Sequence, residues 1–341
     1  MRSTTPLAVT ILALFAVPAT AHSAAPSYEY ESCAAVGDAS IVEVVGAPCA
    51  EAQAVAGQVV AKPTAEVGAT LQAAGWTPLR AQSTDDKTAY DVVAVRDGGA
   101  LRLRRPGAAP DLDGWEAGRE LILARPKLIA GGKVPKGAVA CTSSWLVRMP
   151  GGALGGLTAG HCGGLRKDRT VQRRYVGLRR PPQPGIILGR VKQILTRSKP
   201  LDALVAPVPV GANRSTVPVI DRGVSRPPWI VTGVAAPEAR APVCYTGRTS
   251  GIDQCGNISG PRARAAEIFL SGLAGSIVRC TTIRAAPGDS GGPVFSEPDA
   301  HGRVKAVGLT TLIVIDSKLM CFTPLDRVLD GLNAKLITAA G

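Results

Sequence analysis

The chain has 341 residues, 45% apolar and 4% aromatic, with 39 Lys and Arg against 26 Asp and Glu for a formal charge of +13. That length points to about two domains, and the apolar share is ordinary for a globular protein, although so few aromatic residues make the core rely on Val, Leu, Ile and Ala. Eight cysteines, an even number, fit pairing in an oxidising compartment, and beyond the first twenty or so residues no apolar run is long enough for a membrane anchor.

Met1 to Ala21 reads as a secretory signal: Arg2 supplies positive charge, Leu7 to Val17 an apolar stretch, and Ala19-Thr20-Ala21 a small-residue cleavage site. Residues 22–128 form a separate region. Up to residue 128 the chain carries 11 Lys and Arg against 14 Asp and Glu, whereas residues 129–341 carry 28 against 12. An acidic segment ahead of a basic one is a plausible cis partner by charge, or simply a different surface. Ile41 to Val45 reads as a strand and Pro48 to Lys62 as a helix. Thr64 to Ala74 reads as a second helix, with Thr64 as its N-cap and Glu66 in the first turn. Asp91 to Val95 and Ala100 to Arg104 read as strands around the Asp97-Gly98-Gly99 turn. The region is thus expected to be a small α/β domain, with proline-rich Pro106 to Pro110 leading into the next.

From Ile129 onward, short β-type runs alternate with Gly, Pro and Asn; Gly185 to Leu188, Leu204 to Val210, Trp229 to Val234 and Val304 to Leu309 are examples. Many short strands with turn signals predict a barrel or sandwich. Asp326 to Leu336 reads as one C-terminal helix. The basic stretch Arg166 to Arg180 reads as a solvated face in preference to a site for acidic polymers. No specific nucleic-acid partner is expected. No Cys-x-x-Cys occurs and the three histidines are scattered, so no metal or cofactor is expected either.

The chemistry gathers around Pro287-Gly288-Asp289-Ser290-Gly291-Gly292-Pro293-Val294. Small neighbours let a substrate approach the Ser290 hydroxyl, and serine needs a base to become a nucleophile. His22 ends the signal segment, and His301 lies in the polar turn 297–302. That leaves His161, in Leu157-Thr158-Ala159-Gly160-His161-Cys162. A carboxylate that orients the imidazole should be partly buried. Asp202, in the apolar run 201–208, fits; Asp168 sits among Arg and Lys, and Asp221, beside Arg222, is the alternative.

Three ordered blocks carry a resemblance: 157–162, Gly288 to Pro293, and Val243-Cys244-Tyr245-Thr246-Gly247-Arg248-Thr249-Ser250-Gly251 running to Cys255-Gly256. The chain resembles chymotrypsin-like (trypsin-like) serine endopeptidases, and among them the secreted bacterial streptogrisins and alpha-lytic endopeptidase. The likeness covers roughly residues 128–341, with Leu128 to Gly132 resembling a mature N-terminus. It implies an all-β, two-barrel chymotrypsin-like fold with a C-terminal helix, here preceded by a small α/β N-terminal domain. It implies a His161, Asp202, Ser290 triad, an oxyanion hole at the Gly288 and Ser290 N–H groups, and a secreted monomer acting on proteins or peptides. The cysteines are expected to pair as Cys33–Cys49, Cys141–Cys162, Cys244–Cys255 and Cys280–Cys321, although Cys280 sits earlier before the serine than in the family. The family's segment between signal and enzyme is a pro-region that aids folding and inhibits until removed, so residues 22–128 are expected to be such a zymogen segment or a retained accessory domain. Thr311 and Leu312 replace the family's open pocket wall. They predict a preference for small apolar residues over aromatic ones, while Arg284 offers acidic selection or faces solvent. An α/β-hydrolase elbow is excluded because Pro293 and Pro298 prevent the helix it needs. A protease-like binding module with little turnover is the rival reading.

Overall fold

The computed structural model describes residues 28–84, 88–107, 113–124, 136–164, 175–180, 183–190, 193–194, 201–208, 214–258, 278–314 and 318–339. The signal segment, His22, Leu128 to Gly132, Asp168 and most of the basic stretch lie outside these residues.

The N-terminal unit contains β1 (Glu31–Cys33), β2 (Ile41–Val45), α1 (Cys49–Val60), α2 (Val67–Ala73), β3 (Thr77–Ser83), β4 (Ala89–Arg96) and β5 (Gly99–Pro106). Its antiparallel sheet runs in the order β1-β2-β5-β4-β3. α1 turns Ala52, Val55, Ala56 and Val59 inward, one face of a 3.6-residue repeat, onto Val42, Val44, Val92 and Leu103 of the sheet. Thr64 is not an N-cap: it opens a short 3₁₀ turn that runs to Glu66 ahead of α2, with no side-chain cap bond. Pro63 before it holds the chain extended, so the turn starts tight.

The first β body contains β7 (Glu120–Ala124), β8 (Val139–Thr142), β9 (Leu146–Arg148), β10 (Leu154–Thr158), β11 (Tyr175–Arg180), β12 (Gln183–Arg190), β13 (Gln193–Ile194) and β14 (Leu204–Pro207). Its two sheets run β12-β11-β7-β8 and β13-β14-β10-β9, the latter extended by β23 (Lys335–Leu336). The second body contains β15 (Arg214–Ile220), β16 (Trp229–Val234), β17 (Pro242–Gly247), β18 (Gly251–Asn257), β19 (Arg279–Arg284), β20 (Pro293–Ser296), β21 (Arg303–Val314) and β22 (Leu319–Pro324). Six of these run β18-β17-β20-β21-β22-β19, and an Ile258–Thr281 bridge joins β19 back to the end of β18, closing a barrel. Val243, Tyr245, Val294, Met320 and Phe322 fill it. The architecture is therefore all-β with two bodies, a C-terminal helix, and an α/β unit in front.

The C-terminal helix α3 is shorter than expected: it spans Leu325–Leu332 and ends at Asn333 in the left-handed region (φ 50°, ψ 43°). Lys335 and Leu336, expected in the helix, instead pair as β23 with Arg148 and Val147.

The boundary at residue 128 is also corrected. β6 (Asp113–Ala117) pairs in parallel with β15 of the second body, and β7 pairs with β8 and β11 of the first. Residues 113–124 are thus part of the β bodies. Trp115 is buried, donates its Nε1–H to Ser144 O (2.7 Å), and packs on Gly156, where any side chain would overlap its ring. All four tryptophans are buried.

The helix-free face of the N-terminal sheet docks on the bodies. Leu79, Val93, Val95 and Ala100 pack with Val219. Arg80 of β3 is buried; its guanidinium meets Glu116, lies 2.8 Å from Asp221 Oδ1, and donates to Gly223 O at 2.7 Å. Tyr28 stacks on Trp229, with centroids 5.6 Å apart.

Candidate active site

β10 and β14 are antiparallel neighbours with Thr158 opposite Leu204. That register brings the residues just past β10 beside those just before β14. His161, in a short 3₁₀ turn (Gly160–Gly163), therefore meets Asp202. His161 Nδ1 lies 2.6 Å from Asp202 Oδ2, and the His161 backbone N–H donates to Asp202 Oδ1 at 2.7 Å. A carboxylate accepts, so Nδ1 carries the proton and Nε2 is the basic nitrogen. Asp202 is buried, whereas the His161 side chain is 47% exposed. Burial is the largest influence on the imidazole and disfavours its charge, but the Asp202 hydrogen bond and charge together outweigh it and raise the pKa above the ordinary histidine value. Asp221, the alternative carboxylate, is committed to Arg80.

Ser290 sits in the turn between β19 and β20. Thr142 N donates to Ser290 O (2.8 Å), Gly291 N to Thr310 O (2.6 Å), and Thr310 N to Gly292 O (2.8 Å). The turn is thereby tied to β8 of the first body and β21 of the second. Gly291 has φ +90°, and a side chain there would overlap Thr158 Oγ1. The Cys141–Cys162 disulfide lies against the same turn, Cys162 Sγ being 3.9 Å from Ser290 O. Adjacent Asp289 is fully buried and accepts from Thr249 N, Ser250 N, Ser250 Oγ and Ala286 N, with the Tyr245 hydroxyl 3.1 Å away. Burial, helped by the Asp289 charge, pushes the Tyr245 phenol far up, so it stays a neutral donor.

Gly288, at φ +105°, turns the chain ahead of the serine. Its carbonyl accepts from Thr142 Oγ1 (2.9 Å). Neither the Gly288 nor the Ser290 N–H donates to a protein acceptor among the described residues.

Disulfides join Cys33–Cys49, Cys141–Cys162, Cys244–Cys255 and Cys280–Cys321. Arg284 is exposed, Thr311 is buried with its hydroxyl 2.7 Å from that of Thr323, and Leu312 packs on the Cys280–Cys321 disulfide. Sequence reading also missed Arg248, Thr249 and Glu120. Arg248 Nη2 lies 2.9 Å from Glu120 Oε1 of β7, and its side chain runs beside Gly288. The signal for Glu120 was its place at a strand start, an acid directly before the apolar run Leu121 to Ala124.

No protein-family model matches the chain. No curated protein is similar to it at significance. Among solved structures it is similar to Thermobifida fusca Protease A (20% identity, TM-score 0.44, over 66% of this chain and 99% of that one). It is similar also to the Nocardiopsis protease NAPase (19%, 0.40, over 66% and 100%) and to Cellulomonas bogoriensis chymotrypsin (21%, 0.40, over 66% and 99%).

Proposed function

We propose that the chain is a serine endopeptidase working through His161, Asp202 and Ser290. The observation that carries this is the His161–Asp202 pair, 2.6 Å apart, beside a serine turn with two N–H groups that donate to no acceptor among the described residues. In this reading Ser290 Oγ attacks the scissile carbonyl as His161 Nε2 takes its proton. The oxyanion is held by the Gly288 and Ser290 N–H groups. The protonated imidazole, steadied by Asp202, then gives its proton to the leaving amine, and water repeats the sequence on the acyl-enzyme. The chain is secreted after loss of Met1–Ala21, which the four disulfides favour.

The N-terminal unit stays attached in this proposal, as an accessory domain. The buried Arg80 cluster favours it, as does a half-exposed His161 with the unit docked. The unit's contacts include Glu116, Val219, Asp221, Arg222, Gly223, Trp229 and Arg303, none of them in the triad.

Intact mass after treatment with an aryl phosphonate tests both parts. One adduct, localised by peptide mapping to Ser290, on a protein retaining residues from about 22 onward is expected. No adduct removes the enzyme reading, and a labelled form beginning near residue 129 removes the retained unit.

The pH profile gives a second test. His161 must be neutral to act as base, and its pKa is raised. The acid limb of kcat/KM should therefore have its midpoint above about 6.5, the ordinary histidine value. The sign for stability is opposite: the pairing with Asp202 contributes fully below the unfolded pKa and is lost as pH rises through the folded one. An acid limb at or below about 6.5 would contradict the pairing.

A further inference from the structure

The Gly288 N–H belongs to the peptide between Pro287 and Gly288. In a trans peptide the carbonyl and N–H point in opposite directions. Whatever holds the Pro287 carbonyl therefore aims the Gly288 N–H. Thr249 Oγ1 donates to Pro287 O at 2.9 Å. Thr249 is itself fixed, since its backbone N–H donates to buried Asp289 Oδ1 at 2.8 Å. A Cβ built on Gly288 would lie 2.6 Å from Thr249 Oγ1 and 2.7 Å from Arg248 Nη1, so both side chains line the outer side of this peptide.

A hydroxyl alone does not choose an orientation, because it accepts as readily as it donates. Arg248 supplies the sign. Its guanidinium has only donors, so a positive charge outside the peptide favours the carbonyl facing out and the N–H facing in. The Glu120 ion pair from β7 anchors that guanidinium.

Resting on the endopeptidase reading, we infer that Thr249, with Arg248 behind it, is a positioning residue that keeps the 287–288 peptide turned so that the Gly288 N–H faces the reacting carbonyl. Reversing this peptide swaps a donor for a carbonyl oxygen in the oxyanion site. Loss of one such donor costs about 10²–10³ in kcat. Partial reversal costs less.

The test compares wild type, Thr249→Val and Thr249→Ser on a chromogenic peptide, with binding of a peptide boronate and crystal structures of each. Thr249→Val is expected to lower kcat at least tenfold with KM within twofold, and to weaken boronate binding in parallel. Thr249→Ser, which keeps the hydroxyl, should stay within threefold of wild type. Thr249 is exposed, so melting temperatures should match. A Thr249→Val kcat within twofold of wild type overturns the inference, as does a rise in KM that accounts for the whole loss. If wild type neither cleaves peptides nor takes the phosphonate, the endopeptidase reading fails separately. The structure of Thr249→Val then decides: a reversed 287–288 peptide upholds the inference and an unchanged one overturns it.

Discussion

Replacing Ser290 by Ala is expected to lower kcat/KM on a peptide substrate by about 10⁶-fold, with His161→Ala costing nearly as much and the double variant little more. In the proposed mechanism the side chains of His161, Asp202 and Ser290 act as one unit. Without the hydroxyl there is no nucleophile for His161 to activate; without His161, the Ser290 proton has nowhere to go. The Gly288 and Ser290 N–H groups survive in both variants, because they belong to the backbone. A residual rate of about 10³–10⁴ over water should therefore remain. Progress curves on chromogenic peptides measure this, with phosphonate titration to count active sites. Costs that simply multiply in the double variant would mean that the two residues do not work on one reaction. A Ser290→Ala protein with a tenth of wild-type activity would end the serine mechanism outright.

The second large effect is on stability. Arg80 is 3% exposed at its side chain and Glu116 fully buried, with Asp221 and Arg119 completing the group. Arg80→Met leaves that group short of one positive charge inside the protein. Breaking a buried pair from one side costs about 3–5 kcal/mol. The loss should appear in urea unfolding as a lower midpoint, and as separation of one transition into two, because Arg80 joins the N-terminal unit to β6 and β15. The double variant Arg80→Met, Glu116→Gln should recover part of the loss by removing the stranded charge. Unfolding of Arg80→Met within about half a kcal/mol of wild type, in a single transition, would show that the cluster does not join the units.

What the sequence displayed and what it hid follow from distance along the chain. The pairing of His161 with Asp202 was readable because each lies in a short stretch whose residue types are set by local chemistry. α1 was readable because its apolar spacing is local. β6 and β7 were not: Asp-Gly-Trp-Glu-Ala and Glu-Leu-Ile-Leu-Ala look like a linker and an orphan strand until Arg214 to Ile220 and Val139 to Thr142 are laid beside them. Charge composition cannot place such a boundary, since a strand's partner, not its charge, decides which body it joins. Arg80 in Thr77-Pro78-Leu79-Arg80-Ala81 showed one cation in a largely apolar strand, but its counter-ions are 36 and 141 residues away. Arg284 is exposed at the end of β19, the solvent-facing alternative that its sequence position also offered.

The parallel pairing of β6 with β15 has a consequence for how the chain is made. The N-terminal sheet closes on partners within residues 28–107, so it is complete early in translation. β6 follows at once, but Asp113 meets Arg214 and Ala117 meets Ile220, about a hundred residues later. At ribosomal speeds of about 5–20 residues per second, that is a wait of roughly 5–20 s. For that time a finished domain carries an unpaired strand at its exit, the kind of edge that templates pairing between neighbouring chains. Crowded synthesis, as on a polysome, is therefore where this molecule is most exposed to association with its own copies.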